Sequence, residues 1–325
     1  MQQEFGRRGF LKGTMAAGLA AGLGPEERIL ATHLAQATDG APKPPAPAPK
    51  TALPTGKIRD LAISRLICGG NLIGGWAHSR DLIYVSRLFK AYNTDEKVMD
   101  TLQLCERNGV NTVLTNPVSW GQINRYWRER HGSIQWISEV HPTPSDPEAG
   151  VATAIESGAC MAYIQGNVGD RLVRDGHLDT IAKTMEAIKR HGSPAGVGAH
   201  SLRTVMECEK AGVGAEFYVK TLHSGNYWSA RRPDQTMEVV DNTADNFWCI
   251  DPEKTIEYMK TIEKPWIAFK VLAAGAIRPE DGFKYAFENG ADFICVGMFD
   301  FQIAEDAATL TRTLEGLNRS RPWRA

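Results

Sequence analysis

Eight short apolar runs, each followed by a longer segment with apolar residues at three- and four-residue spacing, predict an α/β fold. The expected form is a single (β/α)8 TIM barrel with long loops after strands one and six. Three observations carry that expectation. Most of the runs are apolar on both faces, as parallel strands covered by helices must be. The alternation continues for eight units, for which a doubly wound sheet, the runner-up, gives no reason. The chain left after its N-terminal segment is set aside has the size of one barrel domain.

The chain has 325 residues, and its first part does not read as fold. Gly6-Arg7-Arg8-Gly9-Phe10-Leu11-Lys12 resembles a twin-arginine export motif; a weakly hydrophobic run from Gly13 to Leu23 follows, and Ala35-Gln36-Ala37 offers small residues for cleavage. Residues 1–37 are therefore expected to be a twin-arginine signal peptide. Residues 38–56, dense in Pro and Ala, are expected to be a linker, and residues 57–325 the barrel. Such a signal implies the twin-arginine translocase as a partner and a periplasmic or otherwise exported location.

The predicted strands are residues 66–70, 112–115, 135–140, 161–165, 195–200, 216–222, 266–272 and 292–296. Between them, 94–108 starts at Asn93 or Thr94 as a cap and stops at Gly109; 147–158 has Asp146 as cap and Pro147 in its first turn. Segment 177–191 stops at Gly192 and 202–211 at Gly212. Asp251-Pro252-Glu253 and Pro279-Glu280-Asp281 open two more helices. The loops 71–93 and 224–250 are too long for plain connections and belong to the C-terminal face, where barrel active sites lie.

Composition narrows the function. The net charge of −1 gives no electrostatic support for a nucleic-acid partner, and no run is long enough for a permanent membrane span. The six cysteines include no C-x-x-C pair. Cys68, Cys105, Cys160, Cys208 and Cys295 fall on apolar faces, so core thiols are expected rather than a disulfide framework.

Polar residues at the strand ends converge on one mouth. His200, His223, Lys220, Lys270 and Glu139 are the candidate catalytic groups; Asn71, His78, Arg80, Asn116, Gln165, Trp228 and Asp300 are the candidate substrate contacts. His141, Glu139, His200 and His223 could together supply an N/O site for a divalent metal, although no short ligand spacing marks one. The aromatic, Asn, Asp and Arg side chains of the two long loops suit a hydroxyl-rich ring; a polar lid or a subunit contact would use the same residues.

Two family resemblances follow. Ile63 through Gly75 resembles the opening of aldo-keto reductases, which implies a (β/α)8 fold and NAD(P). The Asp and Tyr which that activity needs after strand two are absent from Leu114-Thr115-Asn116-Pro117-Val118-Ser119-Trp120-Gly121. Phe217-Tyr218-Val219-Lys220-Thr221 is similar to strand six of class I aldolases, with Lys270 at the position of their neighbouring lysine. That implies a Schiff-base amine, but the Lys-to-Gly spacing is one residue longer. Gly275 and Gly297 fall where such barrels cradle phosphate, yet Met298-Phe299-Asp300-Phe301 is bulky there.

The expected function is an enzyme of lyase or isomerase class that moves a proton next to a carbonyl in a small, sugar-like substrate. His200 or His223 would be acid or base, Lys220 and Lys270 would stabilise the oxyanion, and Glu139 and His141 would orient them. An NAD(P)-dependent oxidoreductase and a non-catalytic ligand-binding barrel stand as alternatives. The cofactor is left open between a divalent metal, NAD(P) and none.

Overall fold

A hairpin that the sequence pattern does not announce closes one end of the molecule. Strands β1 (Thr55–Ile58) and β2 (Leu61–Ser64) pair antiparallel, starting inside the predicted linker. The computed structural model describes residues 52–76, 82, 84–232, 234–235 and 249–325. The export motif, His78 and Arg80 lie outside the described residues.

The predicted barrel is present. Strands β3 (Leu66–Gly69), β4 (Thr112–Thr115), β5 (Gln135–Val140), β6 (Met161–Ile164), β7 (Ala195–Ala199), β8 (Phe217–Thr221), β9 (Trp266–Phe269) and β10 (Phe293–Val296) are all parallel. They close in sequence order, β10 pairing with β3. Around them lie α1 (Val85–Tyr92), α2 (Asp95–Arg107), α3 (Trp120–Arg130), α4 (Val151–Glu156), α5 (Gly166–Arg174) and α6 (Leu178–Arg190). Next come α7 (Leu202–Ala211), α8 (Pro252–Lys260), α9 (Pro279–Glu288) and α10 (Ile303–Glu315). No helix among the described residues is long and apolar enough to cross a membrane.

Local chemistry explains several boundaries. Thr94 caps α2 by accepting a hydrogen bond from the Lys97 amide at 3.3 Å. Gly212 ends α7 in the left-handed region. The predicted helix 147–158 shrinks to α4 because Thr143 and Asp146 bridge each other and Gly150 has φ 77°, which delays the helical start. The predicted ends of β7, β8 and β9 run past the ladder, so His200, Leu222 and Lys270 stand beyond the last paired residues.

Alternation along the strands divides the core in two. Ile67, Leu114, Ile137, Met161, Tyr163, Phe217, Val219, Ile267, Phe293 and Cys295 fill the barrel, with Ile58 and Ile63 of the hairpin beneath them. Cys68, Val113, Trp136, Val140, Val197, Tyr218 and Ala268 face the helices. The hairpin is fastened at the N-terminal ends of the strands. Arg59 makes a bidentate pair with Glu216 at 2.7 and 2.6 Å, and the Ser64 amide donates to Asn111 Oδ1 at 2.8 Å. The same floor buries Asp292 against Arg321 at 2.7 Å, while Trp323 is held between the guanidinium groups of Arg65 and Arg319.

One contact sets the mouth. Gly198 of β7 lies so close to the start of α5 that a Cβ there would come within 2.5 Å of the Ile164 carbonyl oxygen and 2.7 Å of the Gly166 nitrogen. Both are backbone atoms, with no rotamer to move away. We expect Gly198→Ala to destabilise the fold by about 3 kcal/mol, read as a lowered urea midpoint with an unchanged slope. A midpoint equal to wild type would mean the helix and strand are not held this tightly.

Candidate active site

Helix α5 brings Asp170 to the end of β7. Its carboxylate accepts four hydrogen bonds: from the His200 amide (2.9 Å), His200 Nδ1 (3.0 Å), the Ser201 amide (3.1 Å) and Thr204 Oγ1 (2.6 Å). Asp170 and His200 are both buried. Because the Asp170 oxygens accept from amide and hydroxyl donors, Nδ1 is a donor to them as well, which fixes the tautomer: Nδ1 carries the hydrogen and Nε2 keeps its lone pair. Among the described residues no hydrogen bond is made by Nε2. The ring also packs against Phe269 at 5.2 Å between centroids. Gly166 leaves room for it, since a Cβ there would sit 2.8 Å from Cε1. Burial holds the imidazole below its usual range; Asp170 opposes this, and the Lys270 and Lys220 charges reinforce it.

The two lysines separate. Lys220 pairs in register with Ala199 and Ala268, both in the helix-facing layer, and shares the parity of Tyr218 and Leu222. It therefore lies on the outer side of β8, and the barrel-facing position beside it is Thr221. Lys220 Nζ is buried and donates to the Thr221 carbonyl (2.9 Å) and Oγ1 (2.8 Å), and burial lowers its basicity. The expected oxyanion or Schiff-base role for Lys220 is corrected on this ground: a one-residue shift along a strand moves a side chain to the opposite face. Lys270 behaves otherwise. It follows β9 with φ 58°, a strained value for a side-chain-bearing residue, and this interrupts the strand alternation. Its charge acts on Glu139, His200 and His223, which places it among the mouth groups. Burial brings its amine down to about 7, against the attraction of Glu139.

On β5, Glu139 accepts from Tyr163 OH at 3.0 Å and meets His141 Nε2 at 3.4 Å. His141 is exposed, Glu139 mostly buried. His223 is occupied by the backbone: Nε2 accepts from the Cys249 amide at 3.0 Å, and Nδ1 meets the Ser224 carbonyl at 3.0 Å. It pins the two ends of the second long loop together, and burial lowers its pKa to about 4. The metal set His141, Glu139, His200 and His223 is not brought together. Among the described residues no three His, Cys, Asp or Glu side chains come close enough to hold an ion. Asp170 holds one of these histidines and the long loop the other.

The expected substrate contacts take mixed positions. Gln165 caps α5, its Oε1 accepting from the Val168 amide at 3.1 Å. Asp300 accepts from Tyr92 OH at 2.6 Å and Lys97 Nζ at 2.9 Å, so it ties α1 and α2 to the loop after β10. Asn71 and Trp228 are exposed at the rim, and the Asn116 carbonyl accepts from Thr115 Oγ1 at 2.6 Å. The all-apolar look of the buried strand hid Tyr163. Asp170 was hidden inside a helix that the sequence pattern did not separate from its strand, although Gly166 and Gly169 flag an unusually close approach.

No family model matches the chain, and no curated protein matches it either. Solved structures do share its fold. One assigned as an aldo-keto reductase of Pseudomonas aeruginosa has a TM-score of 0.56 at 17% identity, covering 82% of this chain and 96% of that one. A second of the same description gives 0.55 at 16% identity over 80% and 95%. A truncated 3-deoxy-D-arabino-heptulosonate 7-phosphate synthase of Thermotoga maritima gives 0.49 at 10% identity over 83% and 96%. At the identities of the first two, the likeness is one of fold. After β4, where the reductase pattern requires Asp and Tyr, this chain has Asn116 and a 3-10 turn over Pro117–Ser119.

Two outcomes follow from the buried groups. Asp170→Asn would point an amide donor at donors, so we expect a loss of about 3–5 kcal/mol in urea unfolding. Stability that survives this change would contradict the bonding described. His223 has a folded pKa near 4 against an ordinary 6.5, so the unfolded chain binds more protons between those values. Its contribution is complete above pH 6.5 and declines as pH falls towards 4, by about 3 kcal/mol in all. A His223→Gln protein should show a correspondingly flatter profile of urea midpoint against pH.

Proposed function

We propose that this chain is an exported barrel enzyme that moves a proton next to the carbonyl of a small, sugar-like compound, in lyase or isomerase chemistry. The observation that carries the reading is the buried Asp170–His200 pair, in which Nε2 makes no hydrogen bond among the described residues and the Lys270 charge acts on the ring. In this reading Nε2 takes the proton from the carbon next to the carbonyl. Asp170 then stabilises the imidazolium through the Nδ1 hydrogen bond, without itself being protonated. The Lys270 ammonium stabilises the enolate oxygen as charge develops there, in a site where burial strengthens the interaction. Glu139, on a strand opposite β9 in the eight-stranded ring, steadies Lys270 and is itself held by Tyr163.

The test is exchange of carbon-bound hydrogen with D2O, followed by NMR for dihydroxyacetone, glyceraldehyde and a panel of ketoses and aldoses. We expect exchange to fall about 10²–10⁴-fold in His200→Ala and to drop in Lys270→Met. Full exchange in folded His200→Ala would overturn the assignment. The pH profile should be bell-shaped. Protonated His200 removes the base on the acid side, and loss of the Lys270 proton above about 7 removes the oxyanion partner on the alkaline side. Lys270→Arg should shift the alkaline limb upward. Export belongs to the same proposal: changing Arg7 and Arg8 to Lys should leave the chain in the cytoplasmic fraction, and unaltered periplasmic recovery would count against it.

A further inference from the structure

Strand β4 runs through Asn116 and a single 3-10 turn directly into α3, so the first residue of that helix, Trp120, stands at the rim of the barrel mouth. This residue is 46% exposed. Beside it a groove of about 520 Å³ is lined by Asp95, Gln122, Asn124, Arg125 and Arg128 as well as Trp120 itself. The polar groups are fixed in advance. Gln122 Nε2 donates to Asp95 Oδ1 at 2.9 Å, Arg125 Nη1 to Asp95 Oδ2 at 3.0 Å, and Asn124 Nδ2 to the Trp120 carbonyl at 3.0 Å. A ligand that hydrogen-bonds here would not have to immobilise them.

Charge decides which ligand fits. Arg125 is neutralised by Asp95, Glu96 and Glu129, within 3.0–3.2 Å, and Arg128 lies 3.7 Å from Glu129. The groove therefore has no basic excess to attract a polyanion. A half-exposed indole beside amide, carboxylate and guanidinium groups suits a neutral polyhydroxylated ring, apolar face stacked and hydroxyl edge bonded. Trp76, 58% exposed, and Trp228, 79% exposed, follow β3 and β8 and so belong to the same rim. Exposed tryptophans are uncommon, and here three follow strand ends on one face.

We propose that the Trp120 groove is an accessory site for a neutral saccharide chain whose end enters the barrel mouth. The inference rests on the reading of a sugar-like substrate and extends it: the ligand is an oligosaccharide or a glycan end, longer than the single unit the barrel holds. The groove contributes affinity without touching the reacting atoms.

Isothermal titration of the full chain with mono-, tri- and hexasaccharides of the α-gluco, β-gluco, xylo and manno series tests this. In at least one series the Kd should fall about tenfold or more from monosaccharide to hexasaccharide. Trp120→Ala should abolish that gain and leave monosaccharide binding unchanged; its circular dichroism should match wild type, because the ring is not in the core. Three results would overturn the proposal: no length gain in any series, a gain that survives Trp120→Ala, or binding confined to heparin and lost in Arg128→Ala. Deuterium exchange separates the two claims. His200-dependent exchange without a length gain removes the groove and keeps the chemistry. A Trp120-dependent gain without exchange on any sugar keeps the groove and removes the chemistry.

Discussion

The mouth of this barrel depends on backbone lying against backbone. Gly198 lets α5 approach β7 to a distance that no side chain would permit, and Gly166 clears the space for an imidazole ring. That approach delivers Asp170 to a buried position where the His200 amide, its ring and two further donors converge on one carboxylate. A buried charge is tolerated only when it is fully bonded, and four donors meet that condition. The same carboxylate fixes the imidazole tautomer. Packing, charge burial and the imidazole tautomer here are one arrangement, so none can be altered alone.

The second determinant is direction. Lys220 and Lys270 look equivalent as residue types near strand ends, yet the pleat places Lys220 among helix-facing residues, hydrogen-bonded to Thr221. Lys270 escapes that alternation because its own backbone turns left-handed just beyond the ladder. The strain continues at Ala273 and Ala274, both at positive φ, before Gly275 takes the same region at no steric cost. A strained segment thus carries an amine of lowered basicity at the end of a strand opposite the one that carries Glu139, and the amine's charge acts on the His200 imidazole.

The architecture was legible because its signal is repeated. Eight apolar runs separated by helical periods leave few alternatives, and β4 and β5 fall on the residues that the alternation marks. The hairpin β1–β2 was hidden because four-residue strands next to a Pro-rich stretch have too few alternations to stand out. In the site, residue type marked His200, Glu139 and Lys270 as candidates but could not say which way a side chain faces once a ladder ends. His223 reads as an acid–base candidate by type. Its loop partners are Ser224, its chain neighbour, and Cys249, 26 residues along the chain from His223, and they give it a fastening role that no local pattern could reveal. Asp170 was missed for a related reason: its partners lie 30 to 34 residues away and become neighbours only when α5 docks.

Asp170 holds His200 as a neutral imidazole with its hydrogen on Nδ1 and a lone pair on Nε2. Nitrogen-15 NMR of histidine-labelled protein, with His200 assigned by comparison with His200→Gln, reads that state directly. The account predicts a single Nδ1–H tautomer of His200 at pH 7 that resists protonation as pH falls through the ordinary histidine range. An Nε2–H tautomer, or an imidazolium at pH 7, would contradict it.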